Sequence, residues 1–497
     1  MFKNFPGYKV LEGIQKKKSH KRERKFPLNA IKLIFIVAIT LVIAMLPTES
    51  FGIEGLTVVH QRIISLFVFA ALMWLTETMP SWVTSMVVVT VMLFTVSTSA
   101  FSFLRPEGGV GLVPFKSIFA CFSNPTIMLF IGGFVLAIGL TKVKLDVALA
   151  RVLLKPFGTR SEIVLLGFIL VTAIFSAFVS NTATAAMMLA FLTPVLRSLP
   201  ADGKGRIALA LAIPVGANLG GMITPIGTPP NMIALDYLSS QGMGISFVDW
   251  TIKMAPFVIV LLVLAWILLR FMFPFKQKNI KIEIEGEIKW NYKTWSVVVA
   301  FAITIFMWMF GTDLWGIDTN VVAMIPIAIF CATGILTRRD LEEINWSVLW
   351  MVAGGFALGV ALNYSDANSA SLSSLIVKSV PFDNFSPLMV MILAGLICFG
   401  FSNFISHSAA TSLLVPVLGV VASGLGTALD GFGGPQAMLV GIAIASSVSM
   451  ILPISTPPNA IAHSTGFIEQ KDMMKVGIIV GILGIVLGYA MLIFIGF

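Results

Sequence analysis

The chain has 497 residues, of which 57% are hydrophobic and only 11% charged, and its mean hydropathy is +0.95. So few charges cannot cover a water-soluble protein of this length, which leaves a polytopic membrane protein as the expected class. The net charge of +9 is confined to particular loops, a pattern of membrane topology and not of nucleic-acid binding.

A basic arm, residues 1–28 with the run KKKSHKRERK, comes first and suits anionic lipid headgroups or simply fixes orientation. The long basic lead and the lack of a small-residue cleavage pattern argue against a signal peptide. A first apolar span at 29–47 follows, within a first transmembrane segment taken as 29–59. A bilayer core of ~30 Å needs about 20 apolar residues per helix. Further candidates lie at 60–79, 82–100, 117–141, 161–196, 206–235, 253–273, 295–311, 319–337, 346–364, 386–421, 435–465 and 476–497. Segments 161–196 and 386–421 are too long for one crossing and read as a tightly joined pair or a re-entrant hairpin. Cys121, Cys331 and Cys398 lie in or beside apolar spans without ligand spacing, so they read as core packing, with no disulfide framework and no metal site.

Three stretches recur in the same order. IMLFIGGFVLAIGL (127–140) is answered by LWMVAGGFALGVAL (349–362), the GGF triplets 222 residues apart. FSAFVSNTATAAMMLAFLTPVL (175–196) is answered by FSNFISHSAATSLLVPVLGVV (401–421), with Ser180 and Ser406 separated by 226. MITPIGTPPNMIA (222–234) is answered by MILPISTPPNAIA (450–462), with Thr228 and Thr456 separated by 228. The chain therefore divides into a repeat at 60–273, a charged cytoplasmic linker at 274–294 and a second repeat at 295–497.

Basic residues gather at 1–25, 142–160, 197–206, 276–293 and 338–339, whereas 236–249 and 312–318 carry aspartates and no Lys or Arg. The positive-inside rule then sets the N-terminus in the cytoplasm and the C-terminus outside. The first long segment lies between basic loops and the second between loops dominated by Asp366, Asp383 and Asp430. Each repeat is expected to hold five crossings and one re-entrant hairpin, and the odd number inverts the second copy. Inverted repeats with interrupted helices are a transporter pattern, with the substrate near the midplane.

The hairpins must turn at their polar midpoints, SNT (180–182) and SHS (406–408). GTPPN and STPPN interrupt two more spans, with Thr228 and Thr456 suited to cap a helix and Pro229 and Pro457 to its first turn. Four helix N-termini at membrane depth, each bearing roughly +0.5 of an elementary charge, suit a ligand of charge about −2. No Lys or Arg lies near the four motifs, so backbone and hydroxyl groups would hold a small dianion.

These paired SNT-type tips and paired TPPN breaks resemble the divalent anion/sodium symporter family, including its citrate/succinate and 2-oxoglutarate/malate antiporter branch, over nearly the whole chain beyond the arm. The resemblance implies an all-α elevator-type carrier of C4–C5 di- and tricarboxylates with scaffold and transport domains, a homodimer in the plasma (inner) membrane. It assigns substrate binding to Asn181, Thr182, Thr228 and Pro229, and to Ser406, Ser408, Thr456 and Pro457, with Ser180 and His407 beside them. It also implies a first sodium site at Ser176, Ser180, Asn181 and Gly227, and a second at Ser402, Ile405 and Ser455 with an asparagine. That asparagine position is His407 here, and an imidazole is a poor sodium ligand. Sodium-independent exchange is therefore expected, with His407 facing the substrate; sodium-coupled symport is the alternative. No other cofactor is expected.

The remaining readings are ordinary ones. Glu77 sits at a helix end as an interfacial residue, Met187 and Met188 are apolar filler, the GGF glycines allow close helix contact, and His463 has no assigned role. An intramembrane hydrolase built on Ser406 or Ser408 with His407 is a remote alternative, because sequence neighbours at a helix start point apart and no G-x-S-x-G is present.

Overall fold

The computed structural model describes residues 26–200, 203–280 and 290–497. The expectations for most of the basic arm and for 281–289 of the linker lie outside these residues. The described chain is helical, with only isolated bridges besides. Nine of its helices are long and apolar enough to cross a membrane, and five shorter apolar helices accompany them.

Short helical turns aside, the chain begins with α1 (Phe26–Met45), α2 (Val58–Thr76) and α3 (Ser81–Thr95). Then come α4 (Pro125–Lys142), the short α5 (Leu145–Leu154), and the pair α6 (Ser161–Phe178) and α7 (Asn181–Ser198). An interrupted span, α8 (Gly205–Gly220) and α9 (Pro229–Ser240), leads to α10 (Phe247–Met272). After the linker the order recurs. The elements are α11 (Tyr292–Trp315), α12 (Met324–Ala332), α13 (Trp346–Asn363), α14 (Leu372–Ser379), α15 (Pro387–Phe404), α16 (His407–Leu425), α17 (Gly434–Ser447), α18 (Pro457–Ser464) and α19 (Gln470–Phe494).

Local chemistry sets each interruption. Ser180 and Ser406 have extended backbone, and each hydroxyl accepts from an amide three residues on, Ala183 N and Ala409 N, both at 3.3 Å. That leaves a two-residue turn between α6 and α7 and another between α15 and α16. In α8–α9 the helix ends at Gly220 and resumes at Pro229, where the missing N–H removes no helical bond. The unwound carbonyls still need partners in an apolar surrounding. Asn231 supplies them: its Nδ2 donates to Gly221 O at 3.1 Å and to Thr224 O at 2.9 Å. Asn459 does the same in the second span, donating to Met450 O at 2.9 Å and Leu452 O at 3.1 Å.

The GGF glycines pack as their size allows. A Cβ on Gly132 would lie 2.6 Å from Ala323 O, and one on Gly354 would lie 2.3 Å from Ser85 Cβ. At one end of the bundle Lys142 joins the halves, its Nζ 2.5 Å from Asp340 Oδ2 and 2.6 Å from Ile335 O. Helix α11 is peripheral: only 28% of its most apolar window is buried, and Trp295, Val299, Ile303, Phe306 and Phe310 form an exposed stripe. One expectation is corrected here. Cys121 and Cys398 are buried, but Cys331 is exposed on the outer face of α12, so it is not core packing.

Candidate functional site

The four interruptions meet at one cavity of about 330 Å³. The tip of α6–α7 contributes Ser180, Asn181 and Thr182, and the tip of α15–α16 contributes Ser406, His407 and Ser408. The breaks contribute Gly227, Thr228 and Pro229 on one side and Ser455, Thr456 and Pro457 on the other. Every residue that the sequence assigns to substrate binding therefore lines this one space. The remaining wall includes Phe130, Gly133 and Phe134 of α4, Asn218 of α8, and the starts of α3 (Pro80 to Trp82) and α13 (Asn345, Ser347, Val348 and Met351). Trp82 and Trp350 meet edge to face at 6.0 Å beside these two helix starts.

The described lining residues include no Asp, Glu, Lys or Arg. The electrostatics therefore come from dipoles. Helices α7, α9, α16 and α18 all begin at the cavity and turn their free amides and partial positive charge toward it. A carboxylate is the natural partner for such an arrangement, and the hydroxyls of Thr228 and Thr456 flank the amides.

The two threonines are equally buried, at 3% and 4% exposure, yet they are held differently. Thr456 Oγ1 caps its helix, accepting from Asn459 N at 3.2 Å. Thr228 occupies the N-cap position with no side-chain cap hydrogen bond, unlike the expectation from sequence. Its hydroxyl is committed to no amide of its own helix.

The second asymmetry lies at the tips. Ser176 Oγ sits 2.6 Å from Asn181 Oδ1 and 2.7 Å from Ala217 O. Three oxygens thus share one hydroxyl hydrogen, a set whose chemistry fits a monovalent cation. In the second repeat, Ser402 Oγ donates to Ser446 Oγ at 3.1 Å, and Ser446 Oγ donates in turn to His407 O at 3.0 Å. The imidazole Nε2 of His407 lies 2.6 Å from Ser449 O; a carbonyl only accepts, so Nε2 carries the hydrogen. His407 borders the cavity while its ring is held against the broken span behind it, at 8% exposure. Ser455 Oγ donates to Leu452 O at 2.7 Å, and Ile405 is buried at the turn. Ser406 Oγ accepts from Ala409 N, and the imidazole Nε2 donates to Ser449 O.

Asn218, which the sequence reading passed over, bridges the halves: its Nδ2 donates to Thr456 Oγ1 at 3.2 Å and Asn459 Oδ1 at 3.0 Å. The signal was an amide within the otherwise apolar and small-residue run IPVGANLGG of a membrane-depth helix.

Known proteins resemble the chain along most of its length. A family model described as a citrate transporter matches residues 71–432. A transporter of Haemophilus influenzae, itself uncharacterised, is 30% identical over 474 residues, covering 91% of this chain and 95% of its own. The sodium-dependent dicarboxylate transporter SdcS of Staphylococcus saprophyticus is 28% identical over 85% of this chain and 84% of its own. Among solved structures, the YdaH transporter of Alcanivorax borkumensis matches with a TM-score of 0.52 at 13% identity, over 86% of this chain and 97% of that one. The last is a likeness of fold.

Proposed function

The chain belongs to the citrate transporter family, within the divalent anion/sodium symporter group, and from that premise we propose that it exchanges C4–C5 dicarboxylates of the succinate, malate, fumarate and 2-oxoglutarate class across the plasma membrane without sodium coupling. The observation that carries this reading is the convergence of four helix starts and two threonine hydroxyls on one cavity whose described lining has no charged carboxylate, ammonium or guanidinium. Such a site binds a dianion through dipoles and neutral donors.

In this reading the two repeats are inverted, and the hairpins and broken spans form a body that carries the site past a scaffold containing α3, α4 and α13. Two copies form the working dimer, lipid surrounds the scaffold, and the N-terminus is cytoplasmic with the C-terminus external. The loop charges favour a cytoplasmic position for the starts of α3 and α13, which line the cavity, and this supports access to it from the cytoplasm. The four dipole ends without an anion leave an uncompensated positive field, which disfavours movement of the empty body. A bound dianion cancels the field, so the loaded form crosses and exchange results.

His407 argues for independence from sodium. It stands where the second sodium set would have an asparagine amide oxygen, and its Nε2 carries a hydrogen donated to Ser449 O at 2.6 Å, so that nitrogen offers no lone pair to a cation. A second reading, symport with one sodium, is favoured by the oxygen cluster of Ser176, Asn181 and Ala217 O and by the name of the staphylococcal relative. Uptake of labelled succinate into proteoliposomes separates the two. Exchange requires internal dicarboxylate and is indifferent to replacing sodium by potassium or choline. Concentrative uptake into empty vesicles, driven by an inward sodium gradient, would overturn exchange in favour of symport.

A further inference from the structure

We propose that Asn218 is a positioning residue that turns the Thr456 hydroxyl into an obligate donor aimed at the bound anion; the inference rests on the dicarboxylate reading above. The geometry is a chain of fixed polarities. It starts at Met450 O and Leu452 O, which as carbonyls can only accept. Both receive Asn459 Nδ2, so the amide of Asn459 has one allowed orientation and presents Oδ1 to Asn218. An oxygen there requires a donor, so Asn218 must offer Nδ2, at 3.0 Å. The second hydrogen of the same Nδ2 reaches Thr456 Oγ1 at 3.2 Å. The orientation of every amide in the chain thus follows from the two backbone carbonyls at its start.

Thr456 Oγ1 then accepts twice, from Asn218 Nδ2 and from Asn459 N at 3.2 Å. A hydroxyl has two lone pairs and one hydrogen. Both lone pairs are used, so the hydrogen is the only function left, and Thr456 lines the cavity. Without Asn218 the hydroxyl regains rotational freedom and can present oxygen to a carboxylate, which repels it. Asn218 removes that freedom before the ligand arrives, the usual route by which preorganisation raises affinity. The first repeat lacks the device: Thr228 has no cap bond and the residue matching Asn218 in the second repeat is Ser446, which serves His407 O instead.

A double-mutant cycle tests this on the full chain in proteoliposomes, with succinate as probe. Asn218→Ala is expected to raise the half-saturating succinate concentration about 3- to 10-fold, more than it lowers the maximal exchange rate. In a Thr456→Val background the same change is expected to add nothing, because the hydroxyl it orients is gone. Asn218→Leu, near the shape of asparagine and without polar atoms, repeats the cycle should the alanine variant fail to assemble. Losses that multiply across the two positions would overturn the assignment and leave Asn218 as packing. Wild-type vesicles that exchange no dicarboxylate remove the transport reading and this one with it, whereas wild-type exchange with multiplying losses removes this one alone.

Discussion

Replacing Thr228 and Thr456 each by Val separates binding from folding at two positions that the repeat makes equivalent. Val keeps the β-branched shape and deletes the hydroxyl. Both side chains are almost fully buried, at 3% and 4% exposure, so the transfer contribution is the same at each and the difference lies in the hydrogen bonds. At Thr456 the change removes the cap of α18, ~1 kcal/mol, and leaves the Asn218 donor short of a partner, about 1–3 kcal/mol. A stability loss of roughly 2–4 kcal/mol follows. At Thr228 there is no cap bond to lose, and the stability change should be within ~0.5 kcal/mol. Each variant also loses a hydroxyl to the anion, a hydrogen bond to a charged group worth about 1.5–3 kcal/mol, or roughly 10- to 150-fold in affinity. Thermal unfolding of the detergent-purified protein and succinate exchange in proteoliposomes measure the two quantities. Thr456→Val should show both losses while still exchanging at raised succinate, and Thr228→Val should show only the second. Equal destabilisation by both changes, or wild-type exchange in either, would refute the reasoning.

Three further outcomes are expected. Asn231→Ala or Asn459→Ala strips two membrane-depth carbonyls of their donor and should lower stability by about 2–4 kcal/mol, read as a reduced melting midpoint and a reduced yield of folded protein. His407→Asn puts the first repeat's residue into the second and releases Ser449 O, so exchange should begin to respond when choline replaces sodium, a response that the exchange reading denies to wild type. Burial pushes the Asp340 carboxyl up, but Lys142 and Thr337 together hold it below its ordinary value of 3.8. Its stabilisation is therefore present above that pH and lost as pH falls through the lower folded value. Lys142→Met should cost about 2–3 kcal/mol at pH 7 and flatten the fall in melting midpoint on acidification.

What was legible in the sequence was whatever local chemistry decides. A proline pair after threonine can only start a helix, so TPPN announced both breaks, and Pro229 and Pro457 sit at the first helical positions. A serine midway along an apolar run of about 35 residues had to be a turn, and Ser180 and Ser406 are the N-caps there. The spacing of the motifs showed that the four points come in pairs. Contacts made across the halves were not legible. Asn218 meets Thr456 and Asn459 more than 230 residues away, and nothing in its own neighbourhood announces that. The prolines of TPPN were read for backbone geometry, while the asparagine's work of satisfying unwound carbonyls needed the folded break to be seen. The amphipathic α5 and α14 were hidden inside stretches read as loops, because eight to ten residues are too few for a span and their loop charges dominated the reading.

The parts that obey the repeat and the parts that break it divide the work. Asn231 and Asn459 donate to Thr224 O and Leu452 O, which match across the sequence repeat, and the two caps on the hairpin tips have equal lengths. Three departures lie together: His407 where the first repeat has Asn181, Ser446 where it has Asn218, and Ser449 where it has Gly221. All three lie in one bonded group, since His407 Nε2 donates to Ser449 O while His407 O accepts from Ser446 Oγ. In the first repeat the corresponding group keeps its oxygens close to one another, Ser176 Oγ beside Asn181 Oδ1 and Ala217 O. One half has filled with protein donors the place where the other half leaves acceptors crowded together. On the exchange reading, this difference keeps the anion's cradle on both sides and removes one cation site, and the response of exchange to sodium replacement is its test.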